Sequence, residues 1–195
     1  LRQIDDAEFE APNGAPNVEI TAPLDGTIFP PGSDVTLEAT ATDPEDGDLS
    51  SSISWTSSVH GPLGSGTPRT LSGLFAGTHT ITASVTDSNG QTRNDAIQLT
   101  IEENTNPELT VTSPLSSVTF LAGQLVVFTG TAFDAEDGDL TDEILWVSNL
   151  DGELGTGANV QVSTMSVGTH VVIARVMDSL GGTESFPAVV TILAN

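Results

Sequence analysis

The sequence predicts an all-β chain made of two tandem antiparallel β-sandwich domains, and three observations carry that prediction. First, the chain repeats itself at an offset of 91 residues: Asp43-Pro44-Glu45-Asp46-Gly47-Asp48-Leu49 returns as Asp134-Ala135-Glu136-Asp137-Gly138-Asp139-Leu140. Of the 91 pairs formed by 14–104 and 105–195, 35 are identical, with no insertion or deletion. A period of that length means two copies of one folded domain, because solenoid repeats are far shorter. Second, apolar and polar residues alternate with period two, as strands with one buried face require. Third, these stretches recur at about ten-residue spacing between Gly, Pro, Asn and Asp, and no long stretch carries a helical stripe.

Taken in order, copy one predicts strands at 17–22, 34–42, 51–57, 68–75, 78–86 and 95–102, with a short extra strand near 27–30. Copy two follows by adding 91. The clearest cases are Val35, Leu37, Ala39 and Ala41 alternating with threonine and glutamate, and His79, Ile81, Ala83 and Val85 alternating with threonine and serine. About seven such strands per copy is the pattern of an immunoglobulin-like sandwich. Trp55 and Trp146 each follow an isoleucine by two residues on the third strand and are assigned to the core. His79 and His170 fall on the inward phase of their strand with no cysteine or second histidine beside them, which predicts a structural role and not zinc ligation. Copy one is set at 14–104 and copy two at 105–195. Residues 1–13, with four acids and no counterpart in the repeat, read as a linker or the end of a preceding module. Between copies only Glu102 to Glu108 separates strand from strand, with Pro107 stiffening the path.

Charge narrows the function. The chain has 27 acidic side chains against four basic ones, all arginine, and a net charge of −23. Phosphate backbones need a basic face, so nucleic acid is excluded as a partner, and an anionic membrane surface is disfavoured for the same reason. No apolar stretch is long enough to span a bilayer, so direct membrane insertion is not expected. The absence of an initiator Met and of a signal-like segment reads as a processed piece of a longer protein with neighbouring domains. An acidic, lysine-free chain suits a salty, calcium-containing exterior, which points to an extracellular or cell-surface setting.

On the sandwich plan, the incoming chain, the loop after the second strand and the loop before the last strand meet at one pole. Copy one brings Asn13, then Asp43, Glu45, Asp46 and Asp48, then Asp87 to that pole. Copy two brings Asn104 and Asn106, then Asp134, Glu136, Asp137 and Asp139, then Asp178. Carboxylates crowded together repel one another or take up protons unless a cation intervenes. Hard oxygen ligands without His or Cys favour Ca2+, which accepts six to eight oxygens in flexible geometry. The candidate ligands are therefore Asn13, Asp43, Glu45, Asp46 and Asp87 in copy one. In copy two they are Asn104, Asn106, Asp134, Glu136, Asp137 and Asp178. Asp48 and Asp139 are set apart as residues that face solvent or cap the following strand. The bland alternative is that Asp and Gly simply build a polar turn; recurrence of the whole cluster, with Asp87 and Asp178 opposite, favours the metal.

The order Asn13-x-x-Pro16, Asp43-Pro44-Glu45-Asp46-Gly47 and Val85-Thr86-Asp87-Ser88-Asn89-Gly90 resembles bacterial immunoglobulin-like and PKD-type domains over 14–195. Asn104-Thr105-Asn106-Pro107 is similar to the calcium-binding linkers between cadherin repeats. The resemblance implies a secreted or surface protein in which calcium is held by the linker asparagine and the two acidic loops. The Trp-Asp-Phe-Gly-Asp-Gly run of PKD domains is replaced by Trp55-Thr56-Ser57-Ser58 and Trp146-Val147-Ser148-Asn149, which favours a related immunoglobulin-like family. The expected function is a non-catalytic, calcium-stiffened spacer or adhesion module. The alternative is an accessory module of a secreted enzyme that binds a glycan or a surface protein, for which Phe29, Phe75, Phe120, Phe128, Phe133 and Phe186 are the candidate aromatics. A carboxylate pair acting as general acid and base has little support, because exposed acidic turns are not substrate clefts.

Overall fold

The computed structural model describes residues 12–115 and 117–195, so the linker reading for 1–13 lies outside the described residues except at Pro12 and Asn13. The chain divides into two compact units, one ending at Glu103 and the other beginning at Asn104. Asn104 opens the second unit, and its side chain donates to Asp178 there.

In the first unit the strands are β1 (Asn17–Ala22), β2 (Thr27–Phe29), β3 (Val35–Asp43), β4 (Gly47–Asp48), β5 (Ser54–Ser57), β6 (Gly61–Ser65), β7 (Arg69–Leu71), β8 (Gly77–Thr86) and β9 (Thr92–Ile101). One sheet pairs β1, β3 and β4 in that order, with β7 on β3, and the other runs β2-β9-β8-β5-β6. All pairings are antiparallel except β2 with β9, which is parallel. The β1–β3 pairing in one sheet, the central β5-β8-β9 run in the other and the shared core between the two sheets make the unit an immunoglobulin-type sandwich.

The second unit repeats the plan with β10 (Glu108–Ser113), β11 (Val118–Leu121), β12 (Val126–Asp134), β13 (Gly138–Asp139), β14 (Leu145–Ser148), β15 (Gly152–Thr156), β16 (Asn159–Val162), β17 (Gly168–Met177) and β18 (Thr183–Leu193). Its sheets are β10-β12-β13 with β16 on β12, and β11-β18-β17-β14-β15.

The inward phases fill the cores as the alternation predicts. Val35, Leu37, Ala39 and Ala41 from β3 meet Trp55 from β5 and Ile81, Ala83 and Val85 from β8. In the second unit Phe128 packs on Trp146 with ring centroids 5.4 Å apart. Each tryptophan is buried, and its indole N–H donates to a loop carbonyl, Gly66 at 2.8 Å and Gly157 at 3.0 Å.

Three strand expectations are corrected. The segment 51–57 begins as a 3-10 turn over Ser50–Ser52, and the strand starts only at Ser54. The stretch 68–75 is extended only over Arg69–Leu71. Gly61–Ser65, expected as loop, is a strand hydrogen-bonded to β5, and Gly152–Thr156 is its counterpart. These edge strands are rich in glycine, which hides them from any reading based on alternation.

Candidate functional site

The three predicted segments do meet at one pole of each unit. In the first unit Asn13 Nδ2 donates to Asp87 Oδ2 at 2.9 Å, and the Gly14 N–H donates to Glu45 Oε2 at 3.1 Å. Ser88 ties the two loops together, its N–H donating to Asp46 Oδ2 at 2.7 Å and its hydroxyl to Asp46 Oδ1 at 2.9 Å. The second unit repeats each link. Asn104 Nδ2 donates to Asp178 Oδ2 at 2.9 Å, the Thr105 hydroxyl to Glu136 Oε2 at 2.6 Å, and Ser179 to both oxygens of Asp137 at 2.6 and 2.8 Å.

Local turn chemistry fixes the remaining acids. Asp43 Oδ1 accepts the N–H groups of Glu45 and Asp46, and Asp134 Oδ1 those of Glu136 and Asp137, all at 2.9 Å. These are side chain-to-backbone turns of the kind aspartate favours. Asp87 Oδ1 accepts from Asn89 and Gln91, and Asp178 Oδ1 from Leu180 and Gly182. Burial pushes the Asp87 and Asp178 carboxyls up; the bonds from Asn13 or Asn104 and from the turn N–H groups outweigh it and hold both below the usual carboxylate range. Asp48 and Asp139 accept the Ser50 and Thr141 N–H groups at the start of 3-10 turns and not of strands, and the side chains, then the N–H groups, of Ser50 and Thr141 hold their carboxyls below the usual range.

Asp43 Oδ2 and Asp134 Oδ2 stand out. Each belongs to a buried side chain and has no hydrogen-bond partner among the described residues. Buried unpaired carboxylate oxygen is costly, and a cation is one way to relieve it. The other acidic candidates and Asn13 and Asn104 are already hydrogen-bonded, and among the described residues no three His, Cys, Asp or Glu side chains are grouped as a ready metal shell. An oxygen-only donor set is of the kind a hard cation uses, and Asp43 Oδ2 and Asp134 Oδ2 are the atoms left open to one. Asn106 is exposed and makes no hydrogen bond among the described residues, its Oδ1 2.7 Å from where a Cβ on Gly182 would sit.

Sequence reasoning missed Ser88 and Ser179, although their identity across the repeat was a visible signal. It also missed Gln91, whose Nε2 donates to the Asn13 carbonyl at 3.1 Å.

A serine–histidine pair elsewhere invites comparison with a hydrolase. His170 Nδ1 lies 2.8 Å from Ser148 Oγ and 3.6 Å from Asp151 Oδ2, while Nε2 meets the Ser166 carbonyl at 2.8 Å. A catalytic triad needs serine on one ring nitrogen and aspartate on the other. Here both sit on Nδ1 and the serine is buried, so the arrangement is a core hydrogen-bond chain. Of the phenylalanines considered for glycan stacking, Phe128 is buried and Phe29, Phe120 and Phe186 pack on the cores. Phe75 and Phe133 are exposed but occupy unrelated positions in the repeat.

No family model matches the chain, and no curated protein does. Solved structures with similar architecture include fibronectin(III)-like modules of Clostridium thermocellum CbhA, at 16% identity over 91% of this chain and 95% of that one, with a TM-score of 0.45. Sidekick-1 immunoglobulin domains 1–5 align at 14% identity over 91% and 40%, with a TM-score of 0.39. Titin domains I67–I69 align at 14% over 93% and 67%, also with a TM-score of 0.39. The immunoglobulin-type assignment of each unit rests on the strand order described above.

Proposed function

We propose that the chain is a non-catalytic spacer or adhesion module of an extracellular protein, in which the segment entering each sandwich is clasped to two acidic loops and calcium tightens the clasp. The observation that carries this reading is the pair of buried, unpartnered oxygens, Asp43 Oδ2 and Asp134 Oδ2, at equivalent positions of the two copies. Each belongs to an acidic loop, and among the described residues no arginine pairs with either carboxylate. Asp43, Asp87 and Asn13 would hold the ion in the first unit, and Asp134, Asp178 and Asn104 in the second. Glu45, Asp46, Glu136, Asp137 and Asn106 stand close enough along the chain to contribute.

The ion would supply positive charge where N–H donors now neutralise the acids only in part. Because it binds the folded pole and not the unfolded chain, a hundredfold excess over its dissociation constant would add about 2.7 kcal/mol of stability. With Asn104 and Asn106 held, the short stretch after β9 loses freedom, which is what a stiff spacer requires. Calorimetry in millimolar calcium and in chelator tests the reading. A rise in melting temperature with calcium and a saturable binding heat are expected. Identical melting curves with no heat would sink it.

A further inference from the structure

The two copies differ sharply on one surface. Alternate residues of β17 are buried, so Val171, Ile173, Arg175 and Met177 face outward, and Val171, Ile173 and Met177 are 39, 41 and 61% exposed. Register puts Leu145 beside Arg175, Val147 beside Ile173, and Val189 beside Val171 on the same outer face. The equivalent positions in the first unit are Ser54, Thr56, Thr80, Thr82, Thr86 and Gln98, a polar face of the ordinary solvated kind. The fold therefore does not require apolar residues there. An outward face of Leu, Ile, Val and Met on a chain this acidic marks a contact surface.

The polar groups of the face suggest what covers it. Arg175, among the described residues, has no carboxylate partner within its own chain. Yet Glu143 and Glu184 line the same depression as Arg175 and Ile173, and Glu153 stands opposite Val147 on the neighbouring strand. A surface that carries an apolar centre, one free cation and flanking carboxylates is complementary to itself under a twofold axis. The five strands, of 4, 11, 10, 4 and 5 residues, at about 4.8 Å spacing and about 3.3 Å per residue offer roughly 500 Å2 of projected face. That is on the order of the ~800 Å2 per partner that stable interfaces bury.

We propose that the outer face of the β11-β18-β17-β14-β15 sheet pairs with the same face of a second copy of this chain, with Arg175 meeting glutamates of the other copy. Two chains of −23 repel at long range, so the contact strengthens as salt shortens the screening length from about 10 Å at 0.1 M to about 3 Å at 1 M.

Sedimentation equilibrium of the full chain over a concentration series tests this. The expected result is a concentration-dependent shift from one-chain to two-chain mass, larger at high salt. The double variant Val171→Thr, Ile173→Thr installs residues that the first unit already carries at these positions, so folding is preserved, which an unchanged near-ultraviolet tryptophan spectrum verifies. It should weaken association at least tenfold, as should Arg175→Glu. A wild-type chain that stays monomeric at every salt concentration overturns the proposal and leaves the face to a foreign partner. Association that is unchanged in the double variant, or that weakens with salt, overturns it as well.

Discussion

Ser57 Oγ lies 2.7 Å from His79 Nδ1 in the core of the first unit, and the hydroxyl also accepts the N–H groups of Val59 and His60, both at 3.1 Å. With its acceptor capacity taken by two backbone donors, the serine has only its proton to give, and Nδ1 receives it. The opposite ring nitrogen faces the Phe75 carbonyl at 2.8 Å, which can only accept. The ring is therefore the Nε2–H tautomer, and one histidine joins the β5–β6 turn to the segment before β8. Ser148 and His170 repeat the arrangement, with Leu150 and Asp151 as the backbone donors.

Ser57→Ala should be among the most damaging single substitutions in the first unit. It strands two backbone N–H groups and a buried ring nitrogen, each costing about 1–3 kcal/mol when left unsatisfied, with partial relaxation. A loss of about 3 kcal/mol in urea unfolding is expected, and similarly for Ser148→Ala. A loss below about 1 kcal/mol would mean the turn finds water instead.

How much of this was legible in the sequence depends on what recorded it. Trp55, His79 and the β3 residues announced their inward phase because burial is written as alternation. That the incoming segment and the two acidic loops meet, through Asn13 with Asp87, Gly14 with Glu45 and Ser88 with Asp46, followed from the topology once the sandwich was recognised. The edge strand Gly61–Ser65 was not legible, since Gly-Pro-Leu-Gly carries a turn's composition and its strand character comes from pairing with β5. Nor could sequence distinguish acids with an open oxygen from acids already satisfied: Asp46 and Asp43 look alike, but Asp46 is filled by Ser88 and Asp43 keeps one oxygen without a partner among the described residues.

The two poles use different parts for the same job, which makes a double-mutant test possible. In the first, Gln91 reaches the Asn13 carbonyl and position 15 is Ala; in the second, the counterparts are Gly182 and Asn106. A Cβ at 182 would collide with Asp178 Oδ2 and crowd the Asn106 side chain. Gly182→Gln alone should destabilise the second unit by about 1–3 kcal/mol, the usual cost of overpacking. Adding Asn106→Ala, which copies the first unit, should recover a good part of it. Coupling of about 1 kcal/mol or more in the thermal or urea cycle is expected for residues in contact; strict additivity would show that they act separately.

Acid should loosen both units. Asp48, Asp87, Asp139, Asp151 and Asp178 all have carboxyls held below the usual value in the folded state. The folded chain therefore binds fewer protons than the unfolded chain just below pH 4. The stability these groups contribute is complete above the unfolded value of about 3.9 and is lost as pH falls through their folded values. Urea midpoints should be level from pH 6 to 5 in respect of these groups and fall below about pH 4. Asp87→Asn and Asp178→Asn together should flatten that fall; an unchanged acid limb would show that the linker bonds are not responsible.

Asp134→Asn separates the hydrogen-bonded clasp from the ion. Its carboxamide oxygen can still accept the Glu136 and Asp137 N–H groups that Asp134 Oδ1 now takes. What changes is the other atom: a buried carboxylate oxygen with no partner becomes an amide NH2, and the site loses its charge. In chelator the variant should melt within about 1 kcal/mol of the parent or higher, because an uncompensated buried charge is itself destabilising. In millimolar calcium the parent should gain stability in the second unit and the variant should not. A variant that gains as much as the parent would place the ion elsewhere or remove it. A variant that loses several kcal/mol in chelator would show that Asp134 is satisfied in a way that needs no cation.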